Sequence, residues 1–342
     1  METSEFDYYL PEELIAQTPL DCRHDSGLFV IGKNDNFIHD RFVNIVDYLD
    51  ENDVLIFNDS KVFNARIFGT KEKTGGRFEF LLLEKIDGAE KIWKTLVNPG
   101  RRAKTGSRFR VIDGIFEIEI LDRLDEGIRL VKLHYEGDLI GILEKYGKPP
   151  TPPYIKGELP DPSLYQTIYA KNYGSIAAPT AGFHFTKEVF NKLKDKNISY
   201  YYITLHVGVG TFRPVKAENV KEHVMLSEYY RLDPCVVDSL NKEKQRGRKI
   251  VSVGTTAVRA LEAASNEKGR ISVKEGRADL FIYPGYRFKF VDSLITNFHL
   301  PKSTLLMLVS ALRGADIIKK AYKEAVDKKY RFYSFGDAMF IR

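Results

Sequence analysis

The chain has 342 residues, with 52 Lys and Arg against 47 Asp and Glu, so its formal net charge is +5. Hydrophobic residues make up 43% of the chain, which supports a sizeable core and excludes a disordered or low-complexity protein. The two cysteines, Cys22 and Cys235, are too few for a disulfide framework or a metal cluster, and their scarcity is typical of a reducing cytoplasm. The N-terminal segment is acidic, and the most apolar run, Leu305 to Leu312, is far shorter than the ~20 residues that a membrane-spanning helix needs. We therefore expect a cytoplasmic protein without a membrane role.

The first 65 residues alternate between strand and helix patterns. Gly27 to Gly32 and the buried run Asp53 to Phe57 are typical of strands, and Phe42 to Leu49 is typical of one or two helical turns. This segment therefore predicts the start of a mixed α/β domain.

From Arg66 to about Tyr135 the pattern changes to short alternating stretches separated by Gly, Asp and Asn. Such stretches, with turn residues about every 8 to 12 positions and no helical period between them, predict a small antiparallel β-barrel. A short helix and the proline-rich segment Pro149 to Tyr154 follow, and the latter cannot continue a helix or a central strand. We expect a barrel domain at 66–149, inserted into a main α/β domain formed by 1–65 and 150–342.

After the proline-rich segment, helices and strands alternate to the end of the chain. Helices are predicted at Thr186–Lys196, Pro234–Arg246 with Asp233 as N-cap, Thr255–Ala264, Ser303–Leu312 and Ala315–Lys329. Strands are predicted at Ser199–Val207, Lys249–Val253 and Asp279–Tyr283, with a closing strand from Tyr330.

Four segments after residue 150 combine Gly or Pro with Thr, and three of them also contain His. They are AAPTAGFHF from Ala177, TLHVGVGTFRPV from Thr204, VGTTAVRALE from Val253 and ITNFHLPKST from Ile295. Each lies where a predicted strand ends or a helix begins, which is where ligands bind in α/β sheets.

The segment at Val253 has the clearest physical reading. Gly254 allows a ligand to approach the backbone, and Thr255 and Thr256 open a helix whose free N–H groups attract an anion such as a carboxylate or phosphate. Ordinary N-capping by threonine explains the same residues without a ligand.

His184, His206 and His299 fall within these segments, and each is a candidate general base or a structural histidine. No cysteine or carboxylate stands at zinc-ligand spacing from them, so no metal is expected. The chain has no GxxxxGK[ST] loop and no GxSxG elbow, and Phe-Arg-Pro follows the GVG of HVGVGTF where a dinucleotide-binding helix would begin.

Basic residues cluster between Gly100 and Arg110, where Arg101, Arg102 and Lys104 are accompanied by no acid. On a hairpin tip this cluster would suit RNA phosphates, and a solvated turn is the simpler interpretation.

Together these motifs resemble the S-adenosylmethionine:tRNA ribosyltransferase-isomerase family of queuosine biosynthesis. Further segments that carry the resemblance are LPEELIAQTP at Leu10, DVLIFNDSKVFNARIFG at Asp53 and YRFYSFGDAM at Tyr330. Two departures are Gly27, where the family usually has arginine, and Leu226, where it often has histidine, so no acid–base role is assigned to position 226.

The resemblance implies transfer of the ribosyl carbons of S-adenosylmethionine to the 7-aminomethyl-7-deazaguanine at the wobble position of tRNA. The carbons are rearranged to an epoxycyclopentanediol, and adenine and methionine are released. S-adenosylmethionine is then a consumed co-substrate, no prosthetic group is implied, and we expect a monomer.

For the site, the resemblance implies a base, an acid for adenine and a seat for the methionine carboxylate. The candidate catalytic residues are His184, His206, His299, Asp59 and Asp337. The candidate substrate-binding residues are Gly254, Thr255, Thr256, Arg259, Arg213 and Asn297. The candidate tRNA-binding residues are Arg101, Arg102 and Lys104.

Two other functions are compatible with parts of the pattern. An S-adenosylmethionine-dependent RNA methyltransferase is disfavoured because no Gly-rich strand–turn–helix opens the chain. A non-catalytic RNA-binding protein would not need the histidine-containing segments.

Overall fold

Two large sheets organise the protein in its computed structural model, which describes residues 1–86, 88–157, 159–208, 210 and 215–342. One compact unit contains Met1–Lys61, Pro152–Asn172 and Ala178–Arg342, and it holds a nine-stranded mixed sheet. The other contains Val62–Thr151 and Tyr173–Ala177, and it holds a closed six-stranded antiparallel barrel. The predicted fold class, a mixed α/β domain with a small antiparallel barrel, is confirmed.

The strands and helices are as follows. The strands are β1 Gly27–Ile31, β2 Phe37–Arg41, β3 Asp53–Asn58, β4 Ser60–Val62, β5 Arg66–Lys71, β6 Arg77–Lys85, β7 Ile92–Asn98, β8 Arg108–Ile112, β9 Phe116–Arg123, β10 Ile128–Tyr135, β11 Asn172–Ser175, β12 Ser199–Leu205, β13 Glu228–Arg231, β14 Lys249–Val253, β15 Glu275–Ala278, β16 Ser293–Asn297 and β17 Ala338–Ile341. The helices are α1 Leu139–Tyr146, α2 Lys187–Asp195, α3 Pro234–Gln245, α4 Thr255–Ala264, α5 Thr304–Arg313 and α6 Ala315–Asp327.

The large sheet has the order β15-β13-β12-β3-β14-β16-β17-β1-β2. Strands β12, β3, β14 and β16 are parallel, whereas β17 runs antiparallel to β16. Every residue of β3 is buried, as expected for a central strand whose two faces are both covered. One face packs against α2 and a 3₁₀ segment, and their apolar contacts include Phe42, Phe57 and Phe185.

The barrel has the strand order β10-β7-β6-β5-β8-β9. Alternation directs Phe78 and Phe80 of β6 inward, where both rings contact Phe109 of β8 at centroid distances of 4.7 and 5.0 Å. Because the barrel closes, its six strands have no unpaired edge.

The sequence located many elements correctly and some wrongly. β14 and α4 have the predicted bounds, and Asp233 caps α3 by accepting a hydrogen bond from the Cys235 N–H. The predicted strand at Asp279–Tyr283 is wrong, because the chain pairs with β13 four residues earlier, as β15. The predicted strand from Tyr330 is also wrong, because a turn held by backbone hydrogen bonds to Asp337 delays the strand until Ala338.

Among the described residues, no helix is both long enough and apolar enough to cross a bilayer.

Candidate functional site

Several candidate residues lie at one edge of the nine-stranded sheet. Asp59 follows β3, His206 follows β12, Gly254 follows β14 and Asn297 ends β16. The carboxyl ends of these parallel strands meet at the same edge, and the antiparallel β17 begins there, directly after Asp337. This edge is the usual position of ligand sites in α/β sheets.

His184 ends a buried 3₁₀ segment, Thr180–His184, and both of its ring nitrogens have partners. Its Nδ1 lies 2.7 Å from Ser26 Oγ, and the Asn297 side-chain N–H₂ donates to its Nε2 at 3.1 Å. The amide orientation is assigned from Thr180 Oγ1, which donates to Asn297 Oδ1 at 2.9 Å. Burial lowers the pKa of His184 to about 4, so the imidazole is neutral at pH 7. Its basic nitrogen, Nε2, is already occupied by the hydrogen bond from Asn297.

His299 is enclosed by polar partners from several elements. Its Nε2 lies 2.9 Å from Thr296 Oγ1, and its backbone N–H donates to Tyr322 Oη at 3.0 Å. The hydroxyl of Tyr8 donates to its carbonyl oxygen. Burial lowers the pKa of His299 to about 3, and these contacts are those of a structural histidine.

His206 retains an unoccupied ring nitrogen. Its ring stacks on Tyr229 with a centroid distance of 5.6 Å, and its buried Nδ1 has no hydrogen-bond partner among the described residues. Burial lowers the pKa of His206, and the negative charge of Asp59 opposes that shift.

The Asp59 carboxylate is fixed by neighbouring side chains. It accepts a hydrogen bond from Thr204 Oγ1 at 2.7 Å and from the Asn172 side-chain N–H₂ at 3.0 Å. Asp59 is 9% exposed, so a negative charge is held rigidly beside His206.

The N-terminus of α4 points its free N–H groups toward the same edge. Gly254 has φ +87° and ψ 149°, a conformation that favours glycine, and no side chain caps the helix. Among the described residues, the N–H groups of Thr255, Thr256 and Ala257 have no hydrogen-bond partner. The helix start therefore has the geometry of an anion-binding site.

Arg259 is occupied differently from what the sequence led us to expect. Its Nη1 forms a buried ion pair with the Glu228 carboxylate, and its Nη2 donates to the Ala278 carbonyl at 2.8 Å. Glu228 also accepts from the Gly208 N–H at 2.8 Å. Arg259 thus ties α4 to β13 and β15, and these contacts engage both terminal nitrogens of the guanidinium that the sequence assigned to a substrate carboxylate.

The two carboxylate oxygens of Asp337 accept hydrogen bonds from the backbone N–H groups of Gly27 and Arg331, at 2.8 and 2.7 Å. Burial raises the pKa of Asp337, and these donors oppose the rise. A side chain at position 27 would begin 3.0 Å from Tyr330 Cε1 and 3.2 Å from Asp337 Cγ, so glycine fits where the family usually has arginine.

A cleft beside His184 contains two arginines that the sequence analysis did not select. Arg23 and Arg331 line it together with Ser26, Phe183 and other residues, and no lining residue is acidic. The space between them, which is open to solvent, is about 240 Å³. The Arg23 guanidinium stacks 4.6 Å from the Phe183 ring centroid. Arg331 lies in the YRFYSFGDAM segment quoted above, so the resemblance carried a signal for it, whereas nothing in the sequence marked Arg23.

The remaining candidates lie elsewhere. Arg213 falls outside the described residues. Arg101, Arg102 and Lys104 belong to the barrel unit, on or after the 3₁₀ segment Gly100–Arg102, and all three are exposed.

One group of three possible metal ligands occurs among the described residues, where the sequence analysis expected no metal site. Potential ligand atoms of Cys22, His24 and Asp25 lie within 4.8 Å of one another. Arg41 forms an ion pair with Asp25, and Cys22 is exposed, so the group lacks the enclosed, fully coordinated geometry of a structural zinc site.

Comparison with known proteins confirms the resemblance. A family model described as "Queuosine biosynthesis protein" matches residues 3–341. The S-adenosylmethionine:tRNA ribosyltransferase-isomerase of Natranaerobius thermophilus is 50% identical over 343 residues, which cover 100% of both chains. A crystal structure of S-adenosylmethionine tRNA ribosyltransferase from Thermotoga maritima is 38% identical, with a TM-score of 0.57, over 99% of this chain and 100% of that one. The chain therefore belongs to the queuosine biosynthesis protein family.

Proposed function

We propose that this protein is an S-adenosylmethionine:tRNA ribosyltransferase-isomerase. It transfers the ribosyl carbons of S-adenosylmethionine to the 7-aminomethyl-7-deazaguanine of the tRNA wobble position and rearranges them to give epoxyqueuosine. Adenine and methionine leave. The observation that carries this proposal is the full-length identity of 50% with the enzyme of that name. We further propose that the protein acts in the cytoplasm as a monomer, with residues 66–149 forming a domain inserted into the main one.

The seat for the methionine carboxylate is the N-terminus of α4. The N–H groups of Thr255 and Thr256, which have no partner in the part of the chain that the structure describes, and the positive end of the helix dipole favour a carboxylate. Gly254 leaves room for close approach, because it has no side chain. Asn297 acts indirectly, by fixing the His184 ring.

The general base is His206. The sulfonium charge of S-adenosylmethionine acidifies the C5′ protons of its ribose, so a neutral imidazole nitrogen can remove one of them. Both ring nitrogens of His184 have partners. His299 has a partner at Nε2, and burial alone acts on its charged form. His206 combines a ring nitrogen that has no partner among the described residues with the charge of Asp59, which favours its protonated form.

Asp59 stabilises the imidazolium that forms when His206 takes the proton, because its fixed carboxylate opposes the loss of charge on that ring. Asp59 and Asp337 are also proposed to contact the attacking amine or the ribose hydroxyls. The oxygens of both carboxylates already accept hydrogen bonds within the protein, and each oxygen can accept a second one.

The first experiment supplies the purified protein with S-adenosylmethionine and tRNA bearing the aminomethyl-deazaguanine. We expect equal release of adenine and methionine and a heavier tRNA nucleoside. Formation of S-adenosylhomocysteine and a methylated base would instead identify a methyltransferase. Binding of tRNA without any small-molecule product would identify a non-catalytic RNA-binding protein.

The second experiment tests the base. His206→Gln should lower the rate about 10² to 10⁴-fold and abolish exchange of the C5′ protons with deuterated water. His299→Gln is the matched control for loss of an imidazole at the same sheet edge, and it should retain exchange in the folded fraction. The wild-type rate should rise as the pH increases and should reach its plateau before pH 7, because burial lowers the pKa of His206 from 6.5. Retained exchange in His206→Gln would place the base elsewhere.

A further inference from the structure

A groove crosses the outer face of the barrel. Its lining residues include Phe68, Arg77, Asn98, Pro99 and Arg110, and the space between them, which is open to solvent, is about 770 Å³. We propose that this groove binds a single-stranded part of the tRNA, with Phe68 stacking on a base and the two arginines contacting phosphates. The inference rests on the proposed function, which makes tRNA a substrate.

Strand register places Phe68 on the outside of the barrel. Its neighbours on β5, Ile67 and Gly69, are buried, whereas Phe68 is 48% exposed. The interior is already filled by phenylalanines of β6, β8 and β9. An exposed aromatic ring that the core does not need is available to stack on another planar group.

Cations flank this ring. Thr70, two residues along β5, pairs with Arg77 on one side and with Arg110 on the other. Among the described residues Arg77 has no ion-pair partner, and Arg110 pairs with Asp113, whose side chain is 84% exposed. Such an exposed pair contributes little and leaves the guanidinium available for a phosphate. Lys148 Nζ lies 5.7 Å from the Phe68 ring centroid.

The acid that lines the groove is already neutralised. Glu79, the register partner of Phe68, forms an ion pair with Arg66 at 3.1 Å. Counting the paired partners as well, four cations (Arg66, Arg77, Arg110 and Lys148) stand against two acids, Glu79 and Asp113, around the groove. The groove therefore combines positive charge with an aromatic ring, as single-stranded nucleic acids require.

The groove continues into the basic turn selected from the sequence. Pro99 leads directly into the 3₁₀ segment Gly100–Arg102, and Lys71 Nζ donates to the Arg102 carbonyl at 3.1 Å, which ties this turn to β5. Arg101 and Lys104 thus extend the same cationic surface. An extended peptide is a poorer occupant, because a closed barrel offers no strand edge to pair with.

The test measures tRNA affinity at several salt concentrations for Phe68→Ala and for the double variant Arg77→Ala/Arg110→Ala. Phe68→Ala should weaken binding roughly 5- to 150-fold with an unchanged salt slope, because stacking releases no counterions. The double variant should lower the slope by about 1.5. Phe68→Trp should restore the affinity.

Two matched controls come from the same unit. Tyr146→Ala removes another exposed aromatic ring, 41% exposed, from α1. Lys132→Ala removes an exposed cation from β10, three strands away from β5 in either direction around the barrel. Both controls should bind tRNA like the wild type.

Unchanged affinity in Phe68→Ala and an unchanged slope in the double variant would overturn the inference, as would equal losses in the two controls.

Adenine release separates failure of this inference from failure of the proposed function. If the wild type releases adenine and the groove variants bind normally, the groove assignment fails alone. If the groove variants lose tRNA binding and the wild type releases no adenine, the proposed function fails alone. With both correct, Phe68→Ala should raise the KM for tRNA and keep its turnover at saturating tRNA.

Discussion

Glu262 is expected to be among the most sensitive positions for stability in the main unit. It lies in α4 with no exposed surface, and its carboxylate accepts four hydrogen bonds. Oε1 accepts from the N–H groups of Phe290 and Val291 at 3.0 and 2.9 Å. Oε2 accepts from the Lys289 N–H at 2.8 Å and from the Tyr286 hydroxyl at 3.0 Å. One side chain therefore holds the segment that enters β16 against the helix whose N-terminus is the proposed anion seat.

Glu262→Ala leaves three backbone donors without an acceptor, two of them on the buried residues Phe290 and Val291. Each unpaired buried donor costs about 1–3 kcal/mol, so the variant should lose at least about 2 kcal/mol of unfolding free energy and more than either variant that follows. Glu262→Gln keeps one carbonyl oxygen for two donors and presents an N–H₂ group to the Lys289 N–H, so it should lose about 1–3 kcal/mol. Tyr286→Phe removes a donor together with its need for a partner, so it should lose about 1 kcal/mol or less.

Urea unfolding at pH 7 measures these three values. Glu262→Ala should be the most destabilised variant, Glu262→Gln should be intermediate, and Tyr286→Phe should be the least destabilised. If Glu262→Ala unfolds within about 0.5 kcal/mol of the wild type, the four hydrogen bonds do not hold this segment, and the carboxylate is dispensable.

Three further outcomes are expected. His184 has a pKa of about 4 in the folded protein against 6.5 unfolded, so its contribution to stability is complete above pH 6.5 and is lost as the pH falls to 4, about 3 kcal/mol in all. His184→Gln should flatten that part of the curve of stability against pH, and an unchanged curve would show that His184 is not a buried neutral histidine. Gly254→Ala should lower the free energy of unfolding by about 1–3 kcal/mol, because φ at this position is +87°, where alanine is strained. It should also raise the KM for S-adenosylmethionine, and an unchanged KM would show that the anion seat is not at the N-terminus of α4. Arg259→Lys should lose the bond to Ala278 and about 1–3 kcal/mol of stability with little change in that KM, whereas a raised KM at unchanged stability would make it a substrate ligand.

Local pattern determined much of the fold. The strands of the barrel were found because apolar and polar residues alternate within short stretches such as β6 and β7. The start of α4 was found because glycine followed by two threonines after an apolar run is itself the signal for a helix N-terminus. Such signals lie within a few residues of the feature they specify.

Pairing across the fold was decided by tertiary structure. β15 was misplaced because its short segment, Glu275–Ala278, is an edge strand with little apolar alternation, and its position depends on a partner far away in the chain, β13. The turn before β17 likewise depends on Asp337 reaching Gly27, which is 310 residues away in sequence.

The same distinction applies to the site. Sequence identified three histidines, and none of them differed from the others in local pattern. Tertiary structure separates them, because Ser26 and Asn297 occupy both ring nitrogens of His184, Thr296 binds Nε2 of His299, and the carboxylate of Asp59 acts on His206. A hydrogen bond between side chains leaves no periodic trace in the chain. The sequence by itself therefore determined which residue types could do chemistry, and only the packed structure decided which of their atoms already have partners.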